Sequence, residues 1–325
     1  MEKIRRVHLV AFLLVTAVAV SEANPVTAEP LARVGILSPF SPPEVGVEAF
    51  RKGLRGLGWI EGQNVELQFA WANGKLELLP DRAKELVAQR PDVIFAAGEQ
   101  GLRAAKLATA TIPIVVIVCD SLDRFIVSLA APGGSATGLT CIHKELAGKR
   151  LGLLKEFVPT LNRVAVLYNP DDPNKGIEFG QLKDAATRLG IATRGFEVLD
   201  LDGILKAFAT MDSDHFEALV VLADSFTIFH RRKLADLALE HRLPAMFGFK
   251  EFVQVGGLIS YGANRSALFE RGSAYVDKIL KGTKAGDLPV EQPTKFELVV
   301  NLATAKAINL TIPETLLVRV DEVIE

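Results

Sequence analysis

Residues 92–118 read DVIFAAGEQGLRAAKLATATIPIVVIV, and residues 217–247 read EALVVLADSFTIFHRRKLADLALEHRLPAMF. Each stretch opens on a short apolar run, passes through a polar loop and continues at helical period. Each then returns to an apolar run behind a proline, Pro113 in one and Pro244 in the other. Near-continuous apolar strands alternating with helices are βαβ units of a parallel sheet, because helices cover both faces of such a sheet. Two copies of one plan predict an α/β chain of two similar halves, each with its own sheet. The break is expected near Thr140–Lys144, behind Pro132-Gly133-Gly134.

The alternation runs outward from these two stretches. Strands are predicted over 33–37, 65–70, 92–96, 114–118, 163–167, 193–197, 218–222, 245–247 and 258–260. Helices are predicted over 44–57, 76–89, 100–109, 144–157, 175–189, 202–210, 226–240 and 265–281. At 325 residues, 49% hydrophobic and 23% charged, the chain has room for two cores. Its 37 Lys and Arg are spread along the sequence against 39 Asp and Glu, a net charge of −2, so no basic face for nucleic acid is expected.

Residues 1–23 stand apart. Lys3, Arg5 and Arg6 precede the apolar run Leu9 to Val20, and the small residues Ser21 and Ala23 follow, the order of a secretory signal peptide. An apolar run this short does not reach the roughly 20 residues needed to span a bilayer. Cleavage is expected after Ala23, with Ala28 as a second candidate, releasing the chain to the periplasm.

Enzyme chemistry leaves no trace in the sequence. There is no G-x-S-x-G elbow and no G-x-G-x-x-G fingerprint, and the Gly-Lys pairs at 74–75 and 148–149 lack the rest of a phosphate loop. His143, His215, His230 and His241 are scattered, and none is read as pairing at metal-ligand spacing. No enzyme activity, metal or cofactor is therefore expected. What the sequence offers is polar loops at the carboxyl ends of strands, where open parallel sheets bind ligands. In the first half these carry Ser38 and Phe40, then Gly98, Glu99 and Gln100, then Asp120 and Ser121. In the second half they carry Tyr168 and Asn169, then Asp224, Ser225 and Phe226, then Phe247. The loops at 98–101 and 224–226 lead into helix starts, where exposed N–H groups favour an anion. Ser38, Asp224 and Ser225 are also ordinary helix-cap residues, and Phe40 suits a core as well as a ligand. Cys119 and Cys141 are placed near adjacent strand ends and read either as a disulfide or as two buried thiols.

Several motifs together resemble the ABC-transporter substrate-binding family whose better-known branch takes up tryptophan and tyrosine. They are Gly53-Leu54 with Gly58-Trp59-Ile60-Glu61-Gly62-Gln63-Asn64-Val65, Ala131-Pro132-Gly133-Gly134 with Thr137-Gly138, and Tyr168-Asn169-Pro170 with Pro173-Asn174. Near the C-terminus stand the run Gln292 to Asn301, Ala305-Lys306-Ala307 and Thr311-Ile312-Pro313. The resemblance implies a type I periplasmic-binding-protein fold: two Rossmann-like lobes, a three-crossover hinge, and a ligand between the lobes. The crossovers would lie near 141–144, 262–266 and 284–292. That makes 31–142 plus 265–284 the N-terminal lobe and 143–262 plus 290–325 the C-terminal lobe.

The same resemblance implies an exported receptor of an ABC importer, monomeric, meeting the membrane only through a permease and its ATPase subunit. Its ligand would be a small molecule, an amino acid first and a small organic acid next. An extracytoplasmic sensor for a membrane signalling partner, or an exported α/β enzyme, are the alternatives. In the amino-acid-binding branch an acidic residue at the place of Asp224 is expected to hold the ligand's ammonium. This chain departs from the family's pattern in two loops. Asp120-Ser121-Leu122 stands where the family often has Asp-Pro-Val, and Glu99 stands where it commonly has a small residue, which would narrow the ligand toward cations or polyols.

Overall fold

The β-branched runs pair into two separate sheets in the computed structural model, which describes residues 31–119 and 122–325. The first sheet holds β1 (Ala32–Ser38), β2 (Val65–Trp71), β3 (Val93–Ala97), β4 (Ile114–Val118) and β5 (Ala136–Thr140), in the order β2-β1-β3-β4-β5. All its pairs are parallel. Helices α1 (Val45–Gly56), α2 (Leu79–Ala88) and α3 (Gly98–Ala108) connect them. The chain then enters α4 (His143–Phe157) and builds a second sheet from β6 (Arg163–Tyr168), β7 (Ala192–Glu197), β8 (Ala218–Val221), β9 (Ala245–Phe247) and β10 (Ile259–Gly262). Between those strands run α5 (Pro173–Leu189), α6 (Leu201–Ser213), α7 (Ser225–Phe229), α8 (Arg231–Glu240) and α9 (Lys250–Val253).

The second sheet repeats the first. Its strands run β7-β6-β8-β9-β10, the same order, and β11 (Glu297–Asn301) and β12 (Glu322–Ile324) extend it past β10. The α/β class with parallel sheets in two lobes is thus as the sequence predicts. In both sheets the order reverses beside the first strand, at β1/β3 and at β6/β8, and open α/β sheets bind ligands at such switch points.

Helix α10 (Arg265–Leu280) leaves the second sheet and packs on α1 and on β3, β4 and β5. Aromatic rings set that contact: Phe50 stacks on Phe95 at 4.2 Å, and Phe269 meets the edge of Phe95 at 5.4 Å. The chain returns along β5, where Thr137 donates to the Leu288 carbonyl at 2.6 Å and Thr140 N donates to the Glu291 carbonyl at 2.9 Å. It then pairs β11 antiparallel to β10, and α11 (Leu302–Ala307) and α12 (Glu314–Leu317) precede β12.

Within the second lobe, Arg150 on α4 is fully buried. It donates from Nε to the Tyr261 carbonyl at 2.8 Å and from Nη1 to the His143 carbonyl and to Glu178 at 3.3 and 3.1 Å. Lys175 reaches the other oxygen of Glu178 at 2.7 Å, so the buried carboxylate of α5 is bound on both sides.

Three strands, the short helices α9, α11 and α12, and one helix break differ from the sequence reading. Strand β5 contains Gly138 and two threonines and so lacks the apolar run that marks its neighbours. Gly138 is required there, because a Cβ would lie 1.9 Å from the Val116 carbonyl oxygen. Strand β11 runs antiparallel to β10 and so needs no crossover helix, while β12 runs parallel to β11 behind α11 and α12, helices too short to show a helical period. The predicted helix over 226–240 is two helices, parted at His230, whose ring sits between Phe226 and Phe229 at 4.7 and 5.1 Å. The predicted signal peptide and its cleavage points lie outside the described residues. No helix among the described residues is long and apolar enough to cross a membrane.

Candidate functional site

The loops after β1, β3, β6 and β8 meet where the two switch points face each other. After β3 the chain enters α3 through Gly98 at φ +76°, a conformation glycine adopts without penalty. A Cβ on Gly98 would stand 2.4 Å from the Ser225 hydroxyl, so the backbone of one lobe touches the other. After β6, Asp172 caps α5, accepting from Asn174 N at 3.0 Å, with Pro173 suited to the first helical position. After β8, Asp224 accepts from Thr227 N at 2.9 Å, and Thr227 Oγ1 accepts from Asp224 N at 2.9 Å, a reciprocal capping box.

A cavity lies between these loops. Phe40, Gly98, Glu99 and Gln100 line it from the first lobe, Asp172, Asp224, Ser225 and Phe249 from the second, and Arg265 and Phe269 from α10. Its room is small, about 30 Å³, and Asn174 Nδ2 donates to Glu99 Oε2 from the facing lobe. The lobes are therefore closed on each other.

Charge is divided within the cavity wall. Burial and the neighbouring Asp172 raise the Glu99 carboxyl to about 7, against the pull of Arg124, whose Nη2 donates to Glu99 Oε1 at 3.2 Å. Burial also raises Asp224, opposed by hydrogen bonds from Thr227 N and from Asn169 Nδ2 at 2.7 Å. Arg265 faces these acids from α10. Its guanidinium lies 4.9 Å from the Phe40 ring and 4.8 Å from the Phe269 ring, and its Nη1 is 2.6 Å from Glu44. Burial lowers its pKa, but Glu44 and Glu251 outweigh that and raise it. Arg265 Nη2 and Gln100 Nε2 are buried donors with no hydrogen-bond partner among the described residues. The cavity thus offers three carboxylates and two unsatisfied donors, a complement for a small molecule carrying both signs of charge.

Of the residues predicted from sequence, Phe40, Gly98, Glu99, Gln100, Asp224 and Ser225 line this cavity. Asn169 touches it through Asp224, and Asn169 and Phe226 line a wider groove next to it. Three predicted residues lie elsewhere. Ser38 is buried and its hydroxyl accepts from Phe40 N at 3.2 Å, shaping the turn. Tyr168 donates to Glu197 at 2.8 Å on β7, and this burial and hydrogen bond raise its phenol to about 12. Phe247 stacks on Phe252 at 4.7 Å inside the core. Asp120 and Ser121 lie outside the described residues. Sequence reasoning missed Asp172, Arg265, Phe249 and Phe269. For Asp172 the signal was there, an acidic residue directly before Pro173 at a helix start.

The cysteines and one histidine meet at the first crossover. Cys141 Sγ lies 3.2 Å from Cys119 Sγ, a thiol contact and not a disulfide. His143 is fully buried against Phe249, and burial first, then Arg150 and Lys175, hold its imidazole well below the usual range.

Comparison with known proteins bears on the fold and the family. A family model described as ABC transporter substrate binding protein matches residues 34–324. A tyrosine-binding protein of Clostridioides difficile is 25% identical over 265 residues, covering 81% of this chain and 76% of its own length. A solved conserved domain protein of Vibrio cholerae superposes with a TM-score of 0.83 at 25% identity, over 90% of this chain and all of that one. A Streptococcus pneumonia ABC domain solved with L-Trp gives 0.81 at 22% identity, over the same shares. The chain belongs to the ABC transporter substrate binding protein family, whose members bind their solutes and are not enzymes.

Proposed function

We propose that this protein is the exported receptor of an ABC importer and captures a zwitterionic amino acid, aromatic ones first, between its lobes. The observation that carries this is the division of the cavity wall. Glu99, Asp172 and Asp224 suit an ammonium, while Gln100 Nε2 and Arg265 Nη2 suit a carboxylate, and Phe40, Phe249 and Phe269 suit an apolar side chain. Relatives named for tyrosine and L-Trp support the aromatic class. Buried charge-assisted bonds of this kind are strong and little screened. The N-terminal segment supports export, and the closed receptor, a monomer, would hand its solute to a permease driven by a separate ATPase subunit.

A tyrosine cannot enter about 30 Å³, so the lobes must part to admit it. A ligand favours closure only when it binds the closed form better, and this one does so by bridging walls from both lobes. Thermal shift of the mature chain with L-tyrosine, L-tryptophan and their amides and N-acetyl forms tests the reading. At 100 times its dissociation constant a ligand adds about 2.7 kcal/mol of stability. The zwitterions should raise the melting temperature and the derivatives should not. Equal shifts from N-acetyl forms, or none from any amino acid, would sink it.

A further inference from the structure

We propose that Cys119, Cys141 and His143 bind one thiophilic d10 metal ion of the zinc(II) class at the crossover from β5 to α4. Their sulfur and imidazole nitrogen atoms all lie within 4.8 Å of one another. Two thiolates bonded tetrahedrally to one zinc sit roughly 3.7 Å apart, given Zn–S bonds near 2.3 Å. The observed 3.2 Å between the sulfurs needs only a small side-chain adjustment. The backbone already gathers the three donors into one turn. Cys141 N donates to the Val118 carbonyl at 2.9 Å and His143 N to the Cys119 carbonyl at 3.0 Å, while Ile142, left-handed at φ 49°, turns the chain from strand into helix.

A second observation points the same way. The His143 side chain is fully buried, and neither of its nitrogens has a hydrogen-bond partner among the described residues. A polar group stripped of water and left unsatisfied is costly, and a metal bond to one nitrogen would offset that cost. Two sulfurs and one nitrogen form a soft set that favours zinc or copper(I) over calcium or magnesium. The motif is brief in sequence, Cys-x-His at 141–143 with a third donor on the preceding strand end. The histidine's partners are cysteines, so spacing between histidines could not show it.

Three protein donors leave a fourth position on a tetrahedral ion. Both cysteines line the cleft cavity, so that position faces the solute site. The ion would join the end of the first sheet to the start of the second lobe.

The test uses the mature chain, reduced, stripped of amino acids and kept anaerobic, with cobalt(II) as spectroscopic probe and zinc(II) in competition with a chromophoric chelator. One equivalent of cobalt should give sulfur-to-metal charge-transfer absorption in the near-ultraviolet, displaced by one equivalent of zinc. Cys119→Ser and His143→Gln should each weaken zinc binding at least tenfold while keeping the circular dichroism of wild type. In wild type, zinc should slow alkylation of both thiols, a readout that needs no variant. Absence of the charge-transfer band, wild-type affinity in Cys119→Ser, or alkylation indifferent to zinc overturns the proposal. So does a Cys119–Cys141 disulfide in natively isolated protein, which leaves no thiolate to bind. Because no amino acid is present, these outcomes are independent of the solute assignment.

Discussion

The loops after β3 and after β8 hold equivalent places in the two lobes and each carries one acidic residue, yet they hold it differently. Asp224 stands at the N-cap, where one oxygen accepts from Thr227 N and the other from Asn169 Nδ2. Glu99 stands inside the first turn of α3, whose cap position, Ala97, offers no side-chain bond. Among the described residues its carboxylate meets side chains, the half-exposed Arg124 and, from the facing lobe, Asn174 and Asp172. An acid at the cap is committed to the backbone, whereas an acid two residues further on answers to whatever closes over it.

The largest effect expected from breaking this pairing comes from Asp224→Asn. The amide retains one acceptor, so either the cap or the bond from Asn169 is lost, at about 1–2 kcal/mol of stability in urea melts. Loss of the charge should weaken amino-acid binding by about 2–5 kcal/mol in calorimetric titration. Unchanged affinity would make Asp224 a cap and nothing more. Next comes Gly98→Val, which puts a branched side chain where a Cβ already meets Ser225 at 2.4 Å. Affinity should fall by about 2 kcal/mol, roughly thirtyfold, and small-angle scattering of the saturated variant should keep the wider radius of an open form. A compact saturated variant would place the lobe contact elsewhere.

Glu99→Gln sharpens the comparison through pH. Glu99 loses its proton near 7 in the folded chain and near its ordinary value of 4.5 when unfolded, so the folded state holds an extra proton between those values. The stability it contributes is full below pH 4.5 and is lost as pH rises through 7. The difference in unfolding free energy, wild type minus Glu99→Gln, should therefore fall from pH 4.5 to 7 and stay level above. A flat difference would show Glu99 ionising at its ordinary value. The smallest effect belongs to Arg124→Ala. Arg124 is half exposed and its pair with the buried Glu99 is partly screened, so stability should change by no more than about 1 kcal/mol, while the pH window of Glu99 moves upward because a lowering charge is gone.

Most of the architecture was legible because buried parallel strands announce themselves as apolar runs, as Val93–Ala97 and Ala218–Val221 do. Strand β5 was hidden because its threonines and Gly138 serve a close approach and not a run. The cleft was half legible. Gly98, Glu99, Gln100, Asp224 and Ser225 follow strands directly and could be placed by rule, but Arg265 and Phe269 reach the cavity from α10, far along the chain. Tyr168 and Phe247 also end strands. Alternation along a strand decides which side of the sheet each ring occupies, and loop position alone does not.

Arg150 bonds at once to the carbonyls of His143 and Tyr261, so one desolvated guanidinium ties the start of α4 to β10 within the second lobe. Breaking such a buried charged contact costs about 3–5 kcal/mol. The entry to α4 therefore cannot shift without carrying β10 with it or stripping that guanidinium of its partners, so His143 and Tyr261 belong to one rigid body.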